Sequence, residues 1–390
     1  MDEHALYYIK AGGGGTAEPV VPKTQRDSNL ELYRILSMLL IVAHHYVVNS
    51  GLTAADGPIY ANPLSWRSFF LLLFGAWGKT GINCFVMITG YFMCKSNITA
   101  KKFAKLVGEW LFYKYLIHAI FWITGYEPFT LKTAVLGIVP ITQIGSGFTS
   151  CFILFFLAIP FLNVLVQHLS EKQHLYLLVL TGFIYIVFGT AHRVTMNYVS
   201  WFMVLYFIAS YIRLYPKKLF ENTKLWGWLT VASFVLSALS VLSATWLGTK
   251  LGYHLSYFFV SDSNTFLAVT NGVFSFLFFK NLEIPYSKFI NSVAASTFGV
   301  LCIHAHSDAM RQWLWRDTLN NVGMYASPYM PLHAICSVLG VFIICNAIDH
   351  LRIRFLEKPF FLWWDKHWSR LSEQFQRKES ILLKKIGAKE

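Results

Sequence analysis

One apolar stretch of this chain carries charged and basic side chains where they are costly to place. It reads Glu31-Leu-Tyr-Arg34, then Ile-Leu-Ser-Met-Leu-Leu-Ile-Val-Ala, then His44-His45. An arginine offers a planar fork of donors that suits phosphate or carboxylate oxygens. A histidine takes up and releases a proton near neutral pH, so it can act as a general base toward a hydroxyl. Arg34 and His45 are eleven residues apart. At about 100° per residue, eleven residues return a helix to nearly the same face, roughly 16 Å further along its axis. One helical stripe would then hold a cation near one end and an imidazole near the other. Glu31 lies three residues before Arg34, within pairing reach. His44 points about 100° away from His45, either as a supporting partner or as a plain neighbour.

Other polar groups recur inside apolar surroundings, where ionisable residues are rare and informative. Lys114 and His118 are four apart on one predicted helix and share a face; they either line a cavity or let Lys114 pair with a carboxylate such as Glu109. His304 and His306, with Asp308 close by, mark either a ligand cleft or an interfacial polar cluster. Lys101, Lys102 and Lys105 gather at one end of the helix that carries Lys114. The six cysteines, Cys84, Cys94, Cys151, Cys302, Cys336 and Cys345, sit in or beside apolar runs. They read as small core residues, and no zinc or other metal site is expected.

The elements that must hold these residues are membrane helices. The chain has 390 residues, of which 55% are apolar and only 14% charged, with a mean hydropathy of +0.46. Soluble domains carry about 25% charged residues, so a cytosolic enzyme, a disordered regulator and a disulfide-stapled module are excluded. Apolar runs fall near 30–49, 68–94, 104–125, 148–168, 174–190, 198–214, 226–247, 264–280, 291–306 and 329–350. About 20 apolar residues span a bilayer, which predicts an all-α, polytopic protein of about ten transmembrane helices. The second run holds Gly75, Gly78 and Gly81 and is expected to be a re-entrant piece followed by a helix. A short amphipathic stretch at 131–141 is expected at the surface. Residues 1–28 lack the apolar core of a secretory signal and read as a flexible lead. Residues 29–362 form the membrane domain and 363–390 a basic tail.

The net charge of +13 is better assigned to loops facing anionic lipid than to nucleic acid. With the N-terminus inside, the outer loops hold Arg67, Lys132, Arg193, Lys250, Arg311 and Arg316. The inner segments hold most of the remaining basic residues, Lys95, Lys217 and Lys218 among them. This bias predicts cytoplasmic N- and C-termini in a multi-pass cell-membrane protein. No repeat relates the two halves, as it would in a secondary transporter, and no P-loop is present.

Leu-Glu-Leu-Tyr-Arg34 followed by ten residues and His45 resembles the Arg-x10-His signature of the family-3 membrane acyltransferases. Glu31 stands for the family's usual Asp, and Tyr33 for Leu. The segment Gly81-Ile-Asn83-Cys-Phe-Val-Met-Ile-Thr89-Gly90-Tyr91-Phe92 is similar to the family's Val-Asp-x-Phe-Phe-x-x-Ser-Gly-Phe. Asn83 there replaces Asp and Thr89 replaces Ser. Ala158-Ile-Pro160-Phe-Leu-Asn163, Ser200-Trp201-Phe202, Leu301-Cys-Ile-His304 and Ile348-Asp349-x5-Phe355-Leu-Glu357-Lys-Pro359-Phe360 follow in family-like order. The third span departs from the pattern: Lys102 and Lys105 hold the places of an Arg-x-x-Arg-x-x-Pro motif, and no proline follows. Ser150-Cys151 stands where related sequences often place Trp with an aromatic.

The resemblance implies acyl transfer across a membrane through a central cavity. The donor would be cytoplasmic acyl-CoA, most often acetyl-CoA, with no permanently bound cofactor. The acceptor would be a hydroxyl of an extracytoplasmic or lipid-linked glycan. His45 and Arg34 would be the catalytic residues, and Arg34, Lys101, Lys102 and Lys105 would bind the donor. Glu31, His44, Asn83, Thr89, Tyr91, Lys114 and His304 would support them. His45 would act as general base on the acceptor, or alternatively carry the acyl group as an acyl-histidine. Two other readings stand beside this one: a non-catalytic glycan or lipid transporter, and an acyltransferase acting on an amine or small molecule. The acyl chain and the oligomeric state are open at this point.

Overall fold

The computed structural model describes residues 27–136, 147–192, 197–368 and 372. The predicted lead up to residue 26, the end of the 131–141 stretch, Arg193 and nearly all of the tail beyond Trp368 lie outside the described residues. Every regular element among the described residues is helical.

The labelled helices are α1 (Ser28–Val48), α2 (Trp66–Gly75), α3 (Gly78–Met93), α4 (Ala100–Ile123), α5 (Phe148–His168), α6 (Glu171–Gly182), α7 (Tyr198–Leu214), α8 (Thr223–Leu251), α9 (Phe266–Lys280), α10 (Lys288–Ala295), α11 (Thr297–His304) and α12 (Met330–Arg352). Short helical turns join several of them.

Six helical stretches are long and apolar enough to cross a membrane: Ser28–Val48, Trp66–Met93, Phe148–His168, Glu171–Ala191, Thr223–Leu251 and Met330–Trp368. A seventh would be the pair Lys288–His304 and Asp308–Met324, which bends by 95°. The helical, multi-span class stands, with six or seven such stretches among the described residues against the ten expected. Helices α7 and α9 are apolar but shorter. Helix α4 is long, with Lys101, Lys102, Lys105, Glu109, Lys114 and His118 along it.

The second predicted span runs as one 28-residue apolar stretch, Trp66–Met93, with a two-residue interruption at its glycines, and does not fold back as the re-entrant piece expected there. Helices α2 and α3 meet at Ala76 and Trp77, between Gly75 and Gly78. The glycines there serve close approach. A Cβ on Gly78 would lie 2.3 Å from Cβ and Cγ of His44, and one on Gly81 would lie 2.7 Å from the Ser37 carbonyl oxygen. No real Cβ sits that close, so only glycine lets α3 lie against α1 in this way.

Burial sorts the helices. Helices α1, α3 and α7 carry the core, with Met38, Val42, Tyr46, Val86, Met87, Trp201, Phe202 and Tyr206 all buried. Helix α8 instead turns Val231, Val235, Leu236, Leu239 and Trp246 outward. An apolar outer face of that kind is the surface a bilayer covers. The last helix runs on from α12 through residues 353–357 to Trp368, 39 residues in all. At about 1.5 Å per residue it is close to twice as long as a hydrocarbon core of about 30 Å.

Candidate active site

Helix α1 delivers His44 and His45 side by side, and their neighbours separate their roles. The His44 Nδ1–H donates to the Gly75 carbonyl at 2.6 Å, where α2 ends. His44 therefore ties α1 to the break between α2 and α3, beside the bare Gly78.

His45 faces elsewhere. Its Nδ1 lies 2.9 Å from Nε2 of His304, which is fully buried at the end of α11. The second nitrogen of His304, Nδ1, lies 2.6 Å from the Val300 carbonyl oxygen. A carbonyl can only accept, so His304 Nδ1 carries the proton. In a neutral ring the other nitrogen then accepts. His304 Nε2 therefore accepts from His45 Nδ1–H, and the lone pair of His45 resides on Nε2. A backbone carbonyl on α11 thus fixes the tautomer of a histidine on α1. This is how a general base is commonly oriented.

His45 lines a polar cavity of about 560 Å³ with Lys79, Lys114, His118, Glu127, Ser150, Tyr198, His306 and Arg311 among its walls. Lys79 Nζ donates to the Tyr198 hydroxyl at 2.7 Å. His118 donates from Nδ1 to Glu127 at 2.9 Å, and its ring meets that of His306 edge to face at 4.6 Å. His306 Nε2 donates to the Lys114 carbonyl at 3.2 Å. The cavity thus holds imidazoles, two lysines and an arginine, beside the carboxylates of Glu127 and Asp308.

The other sequence-selected residues fall at several places. Arg34 lies 3.8 Å from the buried Glu31 carboxylate and stands 5.8 Å from the centre of the Phe85 ring. Lys101 binds Asp365 at 2.6 Å, and Lys105 binds Glu357 at 2.6 Å. Lys102 donates to the Ser96 hydroxyl and the Asn97 carbonyl. Thr89 bonds back to the Phe85 carbonyl in its own helix. Tyr91 accepts from Arg213 Nη1 at 2.8 Å. Lys114 lines the cavity; the carboxylate considered for it, Glu109, instead meets Arg352 at 3.2 Å.

Asn83 is fully buried and is a bracket between helices. Its amide nitrogen donates to the Ser263 carbonyl at 2.6 Å and to the Ala268 carbonyl at 3.1 Å, while its oxygen accepts from Trp201 Nε1 at 3.0 Å. An aspartate could not donate to those two carbonyls, which explains why an amide stands here.

Two features escaped sequence reading. Glu127 lies in a loop after α4 and carries no motif; only its nine-residue spacing from His118 links them. Arg352 gathers three carboxylates: Nε donates to Asp349 at 2.7 Å, Nη1 to Glu357 at 2.8 Å, and Nη2 lies 3.2 Å from Glu109. Tyr113 adds a hydrogen bond to Asp349 at 2.8 Å. Asp349 also packs directly against Gly299, where a Cβ would come to 2.3 Å from its carboxyl carbon. This hub joins α4, α11 and α12, the helices beside the cavity.

No curated protein and no solved structure matches the chain. A family model described as an acyltransferase domain matches residues 27–349, which take in α1, the His45–His304 pair and the cavity. The chain therefore belongs to acyltransferase family 3 and is an acyltransferase with the helical make-up of a multi-pass membrane protein.

Proposed function

We propose that this protein moves an acyl group, in the first instance acetyl, from cytoplasmic acyl-CoA to a hydroxyl of an extracytoplasmic or lipid-linked glycan. The observation that carries this reading is the oriented pair, with His45 Nδ1 held 2.9 Å from His304 in the wall of a polar cavity. A hydroxyl is a weak nucleophile until its proton is removed in the transition state. His45 Nε2 takes that proton as the oxygen attacks the thioester carbon. The carbonyl oxygen gains negative charge, and Lys79 and Lys114 line the same cavity to offset it. The tetrahedral intermediate then collapses, the carbon–sulfur bond breaks, and the thiolate takes the proton back from His45. Direct transfer needs no acyl-enzyme.

In this reading both termini are cytoplasmic, so the Arg34 end of α1 faces the donor and the His45 end faces the acceptor. The surrounding membrane is the cell membrane. Arg34 positions the donor on its way to His45.

The reaction is tested with purified protein in nanodiscs, labelled acetyl-CoA and a glycolipid and surface-glycan fraction as acceptor. Label released from the glycan by mild base supports O-acylation; consumption of acetyl-CoA without label in the glycan removes the glycan acceptor. CoA binding by calorimetry tests Arg34. Arg34→Ala is expected to weaken it by roughly tenfold or more, and Arg34→Lys by less, because lysine keeps the charge but not the fork. Equal affinity in Arg34→Ala and wild type would leave Arg34 as a structural partner of Glu31.

A further inference from the structure

A second cavity, of about 330 Å³, opens at the other end of the bundle from His45. Its walls include Tyr91, Lys95, Arg213, Lys217, Glu221 and Lys280. Its level along α1 is fixed by Asn29, whose side-chain amide donates to the carbonyls of Phe279 and Lys280 at 3.0 Å each. Tyr33 stacks on Phe279 with ring centres 4.7 Å apart. The cavity therefore lies beside the first turns of α1, at the level of Glu31 and Arg34.

Four of its lining residues are cations and one is a carboxylate. Lys217 is already held by Glu171 at 2.5 Å. The hydrogen bonds of the two inner cations go to neutral groups. Arg213 donates to the Tyr91 hydroxyl and lies over its ring at 4.6 Å, and Lys280 donates to the Asn281 side-chain oxygen at 2.8 Å. The Arg213 Nε is buried with no acceptor among the described residues. The cations of the cavity outnumber its one carboxylate, Glu221, which faces Lys280, and an undirected buried donor is costly. An anion with several oxygens relieves both at once. A phosphate suits this best, since an arginine fork and neighbouring ammonium groups match its geometry and charge. Basic pockets between helices on the cytoplasmic side of a membrane protein hold phosphate groups in this manner.

We infer that the cavity bounded by Tyr91, Lys95, Arg213 and Lys280 is a phosphate-binding site on the donor side of the protein. The inference rests on the reading under Proposed function for its choice of donor. It places the phosphates of acyl-CoA here, rather than on Lys101 and Lys105, which Asp365 and Glu357 already engage. The same chemistry would accept the headgroup of an anionic phospholipid. Tyr91 then serves to hold the Arg213 fork in place with its hydroxyl and ring.

The test measures CoA, 3′-dephospho-CoA and inorganic phosphate binding by calorimetry in nanodiscs of zwitterionic lipid. Wild type is compared with Arg213→Gln, Lys280→Gln and Lys95→Gln, and with Lys101→Gln. Tyr91→Phe is added because it keeps the ring and loses the hydroxyl. Melting curves confirm folding, and the exposed Lys95 keeps the test decisive where Arg213→Gln does not fold. Loss of roughly tenfold or more in CoA affinity in Lys280→Gln and Lys95→Gln, but not in Lys101→Gln, supports the site with acyl-CoA as its source. CoA binding that is unchanged in these variants, together with lost enrichment of phosphatidylglycerol around them in mixed-lipid discs, supports the site with the headgroup as its source. Unchanged binding of both overturns it. A wild type that binds no CoA at all overturns the donor in Proposed function, and the phosphatidylglycerol comparison then decides the site alone.

Discussion

Replacing His45 by alanine is expected to lower acyl transfer by about 10² to 10⁴, the usual contribution of a positioned general base. Expression and membrane insertion should stay near normal, because alanine suits a helix and the site lines a cavity rather than a tightly packed core. The alanine also leaves His304 Nε2 without its donor, so a modest loss of thermal stability should accompany the loss of rate. His304→Ala should be milder than His45→Ala, since His45 keeps its ring and loses only the fixed tautomer. His44→Ala should act mainly on stability, through the lost bond to Gly75. Initial rates with acetyl-CoA and the glycan acceptor check the series. Near-normal turnover in a folded His45→Ala protein would remove the base from this position.

Arg352→Ala should be the most destabilising single substitution in the bundle. It would leave Asp349, Glu357 and Glu109 facing one another, with only Lys105 and Tyr113 to share. Breaking one partner out of a buried ionic network costs about 3 to 5 kcal/mol, because the remaining charges stay buried without compensation. Adding Glu109→Gln to Arg352→Ala removes one of those charges and should recover part of the loss. Thermal melting in nanodiscs reads both effects. A single variant that melts with wild type, or a double variant that melts lower than the single, would contradict the hub.

How much of this could be read beforehand depends on the range of the interaction. The helical class, the membrane and the position of His45 follow from runs of apolar residues and from one eleven-residue spacing, both local. The break in the second span is local too, written in Gly75 and Gly78. The His45–His304 bond joins residues 259 positions apart, so sequence could mark His304 only as a polar residue near a span end. Span counting and structure part company for a physical reason. Charged side chains punctuate α4, α7 and α9 are short, and α10 and α11 are separated at Ser296. Mean hydropathy measures a helix against lipid, whereas these are placed by packing against each other. Lys101 and Lys105 show the same limit. Their charge was legible, but the carboxylates that hold them come from the last helix, more than 250 residues away. Asn83 was legible as a departure from a motif; its reason lies in two carbonyls of another segment.

The bond from His304 to the Val300 carbonyl has an electrical consequence. A carbonyl neither gives nor takes a proton, so the chain that begins at His45 is a dead end rather than a wire. A proton taken from the acceptor has no relay leading away through α11. In the proposed reaction it waits on His45 until the CoA thiolate collects it. The acyl group then travels outward as the equivalent of a cation while a proton travels inward, and the two displacements cancel. Turnover in proteoliposomes should therefore ignore an imposed membrane voltage. Were the proton to escape to the outer solution instead, each cycle would carry one elementary charge, about 2.3 kcal/mol at 100 mV, or roughly fiftyfold at most in rate. A potassium diffusion potential of either sign, set with valinomycin, separates the two cases. A flat response is the outcome expected when the proton stays on His45 until the thiolate collects it.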